Sequence, residues 1–360
     1  MERMFDAEIW RDVTGGEVAE RVRRLIRVTP LVPAPALGRR TGADVWLKLE
    51  NLQRTGSFKF RGAAARIAAL ALQSRGAKAA PPPQPIAGGP EPLGGSDQAS
   101  GGGPKRKVIA ASAGNHGLGV ALAARMFEVE ATVLVSAQTP DVKRAGIAAL
   151  GASVEVAGAT YDEAEAVARS RAAENPDLVF VSAFDDDHVI AGNGGLLARE
   201  ILAQLPDVQS IVVPVGGGGL AGGIGVEVVP RGIKLLGASP AANCAMRKSL
   251  DDGRAYTTYE GGPTLAEGLE GAVSERTFAM ARDYFPDIAL ATELQIREAI
   301  VYAYRTLGIM CEASAAPALA VLLDDSTAIR GRRTVVVISG GNIEPDLLDK
   351  LLTGGPAVGV

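Results

Sequence analysis

Short runs of consecutive apolar residues recur along the chain, separated by longer stretches of mixed character. DVWLKLE (Asp44 to Glu50), KVIAAS (Lys107 to Ser112), ATVLVS (Ala131 to Ser136) and SVEVAG (Ser153 to Gly158) come first. LVFVSA (Leu178 to Ala183), SIVVPV (Ser210 to Val215), IKLLGAS (Ile233 to Ser239) and TVVVIS (Thr334 to Ser339) follow. The runs are continuous rather than alternating, which is the pattern of strands buried on both faces. Alanine-rich stretches such as GVALAARMF and DEAEAVARSRAAENP lie between them and read as helices. Alternating strands and helices predict an α/β fold of mostly parallel, twisted sheets flanked by helices and joined by right-handed crossovers. One segment breaks the pattern. Gly76 to Lys107 is rich in Pro, Gly and Ser and nearly free of large apolar residues, so it reads as a flexible surface insertion.

Composition narrows the function classes. At 360 residues the chain can form two domains with substantial cores. No run is long and apolar enough to span a membrane. The opening MERMFDAEIWRD lacks the apolar core of a signal peptide. The two cysteines, Cys244 and Cys311, form no CxxC pair, so neither a disulfide framework nor a cysteine zinc site is expected. A reduced, cytoplasmic setting follows as the default. A net charge of −4 provides no basic field for nucleic acid or anionic membrane, and 4% aromatic content leaves little for base stacking. The compositional oddity is the 44 glycines.

Several glycines fall where a strand run gives way to a helix. In VVPVGGGGLAGGIG, Gly216 to Gly219 can bring backbone N–H groups close to an anion at a helix start. A tight strand–helix turn is the other reading. The same stretch matches G-x-G-x-x-G at Gly217, Gly219 and Gly222, but Ser239 stands where a dinucleotide site needs an acid, and no P-loop motif occurs. The loop ASAGNHG offers Ser112, Asn115 and His116 beside another helix start, suited to a carboxylate; Ser and Asn are equally ordinary N-caps. A further loop, SGGN, follows a strand with Ser339 and two glycines. All of these loops leave strand carboxyl ends, where open α/β sheets bind ligands.

TGSFKFRG (Thr55 to Gly62) places Lys59 in the first turn of an expected helix, with Ser57 as N-cap. The helix dipole and burial between Phe58 and Phe60 would both lower its pKa, and a partly neutral amine is what imine formation with an aldehyde requires. On this octamer alone, a snorkelling surface lysine is the slightly favoured reading.

Taken in order, SFKFRG, SAGNHG, GGGGL and SGGN resemble the pyridoxal-phosphate enzymes of fold type II, the tryptophan synthase β-like fold. The chain is most similar to the threonine/serine dehydratase branch, which includes serine racemases. The likeness also takes in RVTPLVPAPALG, VIAGNGG, LAEGLEG and CEASAA, and so covers most of the chain outside the insertion. It implies that Lys59 is the Schiff-base lysine and the base for the substrate's Cα proton. Phe58 would lie near the cofactor, Gly216, Gly217, Gly218, Gly219 and Leu220 would hold its phosphate, and Asn115 would bond its 3′-oxygen. Ser112, Asn115 and His116 would receive the substrate carboxylate, while Ser339 would face the pyridine nitrogen with Glu312 near the ring. A small domain at residues 45–151, including the insertion at about 76–107, and a large domain at 1–44 and 152–360 are implied. Family members are commonly dimers.

The resemblance further implies an ammonia-lyase that converts an L-3-hydroxy amino acid such as threonine or serine to a 2-oxo acid and ammonia by α,β-elimination. The alternatives are a cysteine synthase-like transferase performing β-replacement, a serine racemase-like isomerase, and an idle binding protein on the same scaffold. Ala113 stands where racemases carry a proton-donating serine, so racemisation is expected to be absent. Ser239 and Ala245 stand where metal-activated members carry a glutamate and an aspartate, so no metal site is expected. GNGG (Gly192 to Gly195) and CEASAA also depart from the usual family sequence and leave the substrate side chain open.

Overall fold

The computed structural model describes residues 4–75, 106–324 and 327–354. Its strands form two sheets. The strands are β1 (Leu31–Pro33), β2 (Asp44–Leu49), β3 (Lys107–Ala111), β4 (Ala131–Val135), β5 (Ser153–Val156), β6 (Leu178–Phe180), β7 (Ser210–Pro214), β8 (Lys234–Pro240), β9 (Ile288–Ala291) and β10 (Arg333–Ile338). The larger sheet runs β1-β2-β10-β7-β8-β9 and the smaller β5-β4-β3-β6. Every pairing is parallel except β1 with β2.

All the expected strands form. β1 and β9 are additional: each is short, and proline beside or within them hides the apolar run. β5 departs from the reading of strands buried on both faces, because Ser153, Glu155 and Val156 are exposed at the sheet edge. In the central strands, alternate residues feed opposite cores. Ile211, Val213, Val335 and Val337 enter one cluster, while Val212, Val336 and Ile338 enter another. The first cluster continues into Val108, Ala110, Val133 and Val135 of the smaller sheet, with the helix Lys59–Arg75 between them contributing Phe60, Ala64 and Ile67.

The two-domain division must be redrawn. A boundary at residue 45 falls inside β2, which is hydrogen-bonded to β10 from Asp44 to Leu49 in the larger sheet. A boundary at residue 151 separates β5 and β6 from the smaller sheet to which they belong. The chain crosses between the sheets in the loop that leads to Lys59. The insertion expected at about 76–107 lies outside the described residues except for Arg106 and Lys107, and Lys107 opens β3.

Candidate active site

The position of Lys59 follows from sheet order. Leu49 at the end of β2 pairs with Ile338 at the end of β10, so the loops that leave these strands run side by side. Ser57 bridges Gly340, Phe58 N–H donates to Ser339 O at 3.0 Å, and Gly341 N–H donates to Gly56 O at 2.9 Å. Asn342 Nδ2 donates to Thr55 O at 2.7 Å. Gly56 takes φ +75°, and a side chain there would collide with Asn342, so the loop needs glycine at this place. Ser57 does not cap the helix as expected. Its Oγ is buried with no partner among the described residues, and its backbone forms the bridge with Gly340.

Lys59 opens the helix and directs Nζ to Ala183 O at 2.8 Å, just beyond β6. The Phe58 ring lies 5.2 Å from Nζ. Desolvation lowers the pKa to about 8 although Glu312 opposes the shift, so close to a tenth of the amine is neutral at pH 7. The residue is half-buried. The surface-lysine alternative is thereby excluded.

Beside Ala183, Phe184 forms the wall of the tetraglycine. A Cβ at Gly217 would lie 2.6 Å from the Phe184 ring, and one at Gly219 would lie 2.5 Å from Phe184 O. Gly216 would meet Leu269 Cα at 2.8 Å, and Gly218 has φ +90°. Glycine at all four positions is therefore a steric requirement of this loop, beyond what a tight turn alone explains. The helix Gly219–Val228 that follows has no side-chain cap, and its first internal bond from this end is Gly222 N–H to Gly218 O at 2.8 Å. The N–H groups of Gly219, Leu220 and Ala221 thus form an uncapped positive helix end suited to a phosphate.

Asn115, Glu312 and Asn342 join three loops across the same region. Asn115 Nδ2 donates to Glu312 Oε1 at 2.7 Å, and Asn115 Oδ1 accepts from Asn342 Nδ2 at 2.7 Å. Asn342 N–H donates to Glu312 Oε2 at 3.0 Å. One Asn115 amide hydrogen remains for another acceptor. Burial raises the Glu312 pKa against these bonds and the charge of Lys59. Ser339 is buried at the end of β10 and contributes its carbonyl to Phe58. Ser112 Oγ accepts Gly114 N–H at 3.1 Å, and the helix Asn115–Phe127 begins without a side-chain cap.

His116 is brought near this group with its ring turned inward. The imidazole is buried, Nε2 donates to Val181 O at 2.9 Å, and Nδ1 has no partner among the described residues. Desolvation, then the charge of Lys59, lowers its pKa to about 4, so it is neutral and inaccessible at pH 7. The expected role of its side chain in receiving a carboxylate is therefore not met by this ring orientation.

Other residues here have no conspicuous sequence signal. Ala183 and Phe184 follow a strand end, a position that the ligand rule for open sheets indicates. Behind the lysine lies a buried ion cluster. Arg61 bonds Glu50 at 2.7 Å and Glu200 at 2.9 Å, and Lys48 bonds Glu200 at 2.5 Å, Gln204 at 2.7 Å and Thr29 O at 2.8 Å. At the periphery, Lys143 on the helix Asp141–Ala149 reaches Glu344 at 3.2 Å and Glu267 at 3.6 Å.

A desolvated amine near a glycine loop and an uncapped helix end, at the carboxyl ends of parallel strands, is an arrangement suited to a phosphate-bearing carbonyl compound. The family description "Pyridoxal-phosphate dependent enzyme" matches residues 22–340, and the chain belongs to that family. It is 35% identical over 342 residues to an L-threonine ammonia-lyase of Thermotoga maritima, covering 94% of this chain and 77% of that protein. Among solved structures it is similar to the processed form of threonine deaminase isoform 2 from Solanum lycopersicum, with a TM-score of 0.80, 29% identity and coverage of 97% and 89%. It is also similar to serine racemase from Dictyostelium discoideum, with a TM-score of 0.78, 26% identity and coverage of 95% and 100%.

Proposed function

We propose that this chain is an ammonia-lyase that eliminates water from an L-3-hydroxy amino acid, threonine or serine, to an enamine whose hydrolysis takes water back up and yields a 2-oxo acid and ammonia. The reading rests on one observation above the others: Lys59, desolvated and aimed at the Ala183 carbonyl, stands beside the glycine cradle in a chain whose relatives bear ammonia-lyase and deaminase names.

When bound, pyridoxal phosphate supplies the electron sink that acidifies the substrate Cα–H. Gly216 to Gly219 and Leu220 would hold its phosphate through backbone N–H groups, and Lys59 its aldehyde. Asn115, fixed by Glu312 and Asn342, would present its remaining amide hydrogen to the ring oxygen, with Phe58 beside it. Ser339 would meet the ring nitrogen with a neutral hydroxyl, which sustains negative charge on the ring less well than a carboxylate partner would and so favours prompt departure of the β-hydroxyl. Ser112 and the helix start at Asn115 would bind the substrate carboxylate. Lys59 Nζ, with its lowered pKa, is able to accept the Cα proton near neutral pH.

Ala113 bears only a methyl group, with no proton to deliver from a second face, and this favours elimination over racemisation. The buried free cysteines Cys244 and Cys311 fit a reducing, cytoplasmic setting. No helix among the described residues is long and apolar enough to cross a membrane. The test is to incubate the purified protein with threonine, serine, or O-acetylserine plus sulfide. Release of 2-oxo acid and ammonia from the hydroxy amino acids, without D-isomer on chiral chromatography, is expected. Cysteine formation without 2-oxo acid, or rapid L-to-D interconversion, would overturn the reading.

A further inference from the structure

The stretch GNGG has no part in the chemistry above, yet it lies between its two halves. Ala191–Gly195 forms a single π turn between the helices Asp187–Ile190 and Leu196–Gln204. Such widened turns recur at functional sites. Asn193 at its centre is buried, and its Oδ1 accepts the N–H of Gly62 at 2.8 Å.

That bond falls in the first turn of the lysine's own helix. Arg61 N–H closes on Phe58 O at 2.9 Å, and the next N–H, that of Gly62, goes to Asn193. Contact is close on both sides of the π turn. A Cβ on Gly62 would lie 2.6 Å from Asn193 Cγ, and one on Gly192 would lie 2.8 Å from Gly62 Cα. On the opposite side, a Cβ on Gly194 would lie 2.5 Å from Leu220 O and from Gly223 Cα, both in the helix of the phosphate cradle. The turn therefore sits backbone to backbone against both helices.

We infer that Asn193 is a positioning residue for Lys59: through the Gly62 N–H it sets the start of the lysine helix at a fixed distance from the cradle helix. A side chain that touches neither amine nor phosphate thus determines whether both can engage one cofactor molecule. Packing of this kind tolerates little displacement, and a shift of an ångström between reacting groups has a large effect on rate. The inference rests on the reading of Lys59 as the cofactor-binding amine.

The experiment follows capture of pyridoxal phosphate by cofactor-free protein, read as growth of the long-wavelength band of lysine-bound cofactor, with urea midpoints measured in parallel. Asn193→Leu, which keeps the volume and removes the acceptor, should slow capture at least tenfold. Asn193→Asp keeps an acceptor oxygen at the same reach and should recover most of that rate, even with a lowered urea midpoint. Ile67→Ala, two turns along the same helix in the buried core, controls for general loosening and should leave the rate within threefold. Capture by Asn193→Leu at the wild-type rate, or equal slowing in Ile67→Ala at a matched urea midpoint, would overturn the inference. Lys59→Ala run alongside should develop no band; if it does, the assignment of Lys59 fails, and the inference about Asn193 with it. If it does not, failure of the Asn193 arm is specific to this inference.

Discussion

Lys48 and Lys59 stand close in sequence, at the two ends of one connection between sheets, and burial lowers the pKa of both. Their surroundings differ. Lys48 is fully buried, and its ammonium donates to the Glu200 carboxylate, the Gln204 amide and the Thr29 carbonyl, so each of its hydrogens has an acceptor. Among the described residues Lys59 Nζ has one acceptor, the Ala183 carbonyl, and the residue is half-buried. A buried lysine becomes a candidate nucleophile when it is desolvated and left under-coordinated; desolvation with full coordination makes it part of the framework. The two positions should therefore respond to substitution in opposite ways.

The largest effect is expected at Lys59. Replacement by Met should lower turnover by at least about 10³-fold, since the amine proposed to bind the cofactor and move the proton is lost. The cofactor-free protein should become more stable at the same time. The unfolded lysine stays protonated up to its ordinary value of 10.5 and the folded one only to about 8. Below 8 the fold carries the whole cost of a desolvated charge. Between the two values the unfolded state binds more protons, so wild-type stability rises with pH. Lys59→Met should thus gain up to about 3 kcal/mol at pH 7 in urea unfolding, with the gain vanishing toward pH 10.5.

Lys48→Met should do the reverse. It removes one partner of a buried cluster and leaves Glu200 with Arg61 and the Thr29 N–H, at a cost of about 3 kcal/mol in the same titration. Activity per folded molecule should stay within about threefold of wild type. If Lys48→Met abolishes activity while folded, the contrast between the two lysines breaks down.

A smaller effect is expected at the cradle. The Cβ of Gly217→Ala would press on the Phe184 ring next to Ala183, and cofactor affinity should fall by about tenfold in a fluorescence titration. Smaller still is the effect at Lys143, where Glu267 and Glu344 hold the ammonium above its ordinary pKa against the opposing influence of burial. Lys143→Gln should raise KM by about twofold at low salt, and the difference should disappear at high ionic strength.

The strands of both sheets were legible because parallel strands buried on two faces leave continuous apolar runs, as SIVVPV and TVVVIS show. β1 and β9 were not, since three or four residues beside proline leave no run to detect. The motifs located Lys59, Asn115, the glycines, Glu312 and Ser339, and the structure brings these together. Ser57 and His116 show the limit of such reading. Each has the right residue type for its expected role, but the Ser57 hydroxyl is buried without a partner among the described residues and the His116 ring turns to the Val181 carbonyl, a contact with a residue distant in sequence. The domain boundary was misplaced for a related reason: strand partnership across the chain, here β2 with β10, has no local signature.

The most direct test of Lys59 as the reactive amine is to load the protein with pyridoxal phosphate, reduce it with borohydride, and locate the retained cofactor mass by peptide mapping. The mass should fall on the peptide carrying Lys59 and be absent from the peptide carrying Lys48. Cofactor fixed to Lys48 or to any other lysine, with Lys59 unmodified, would contradict the account.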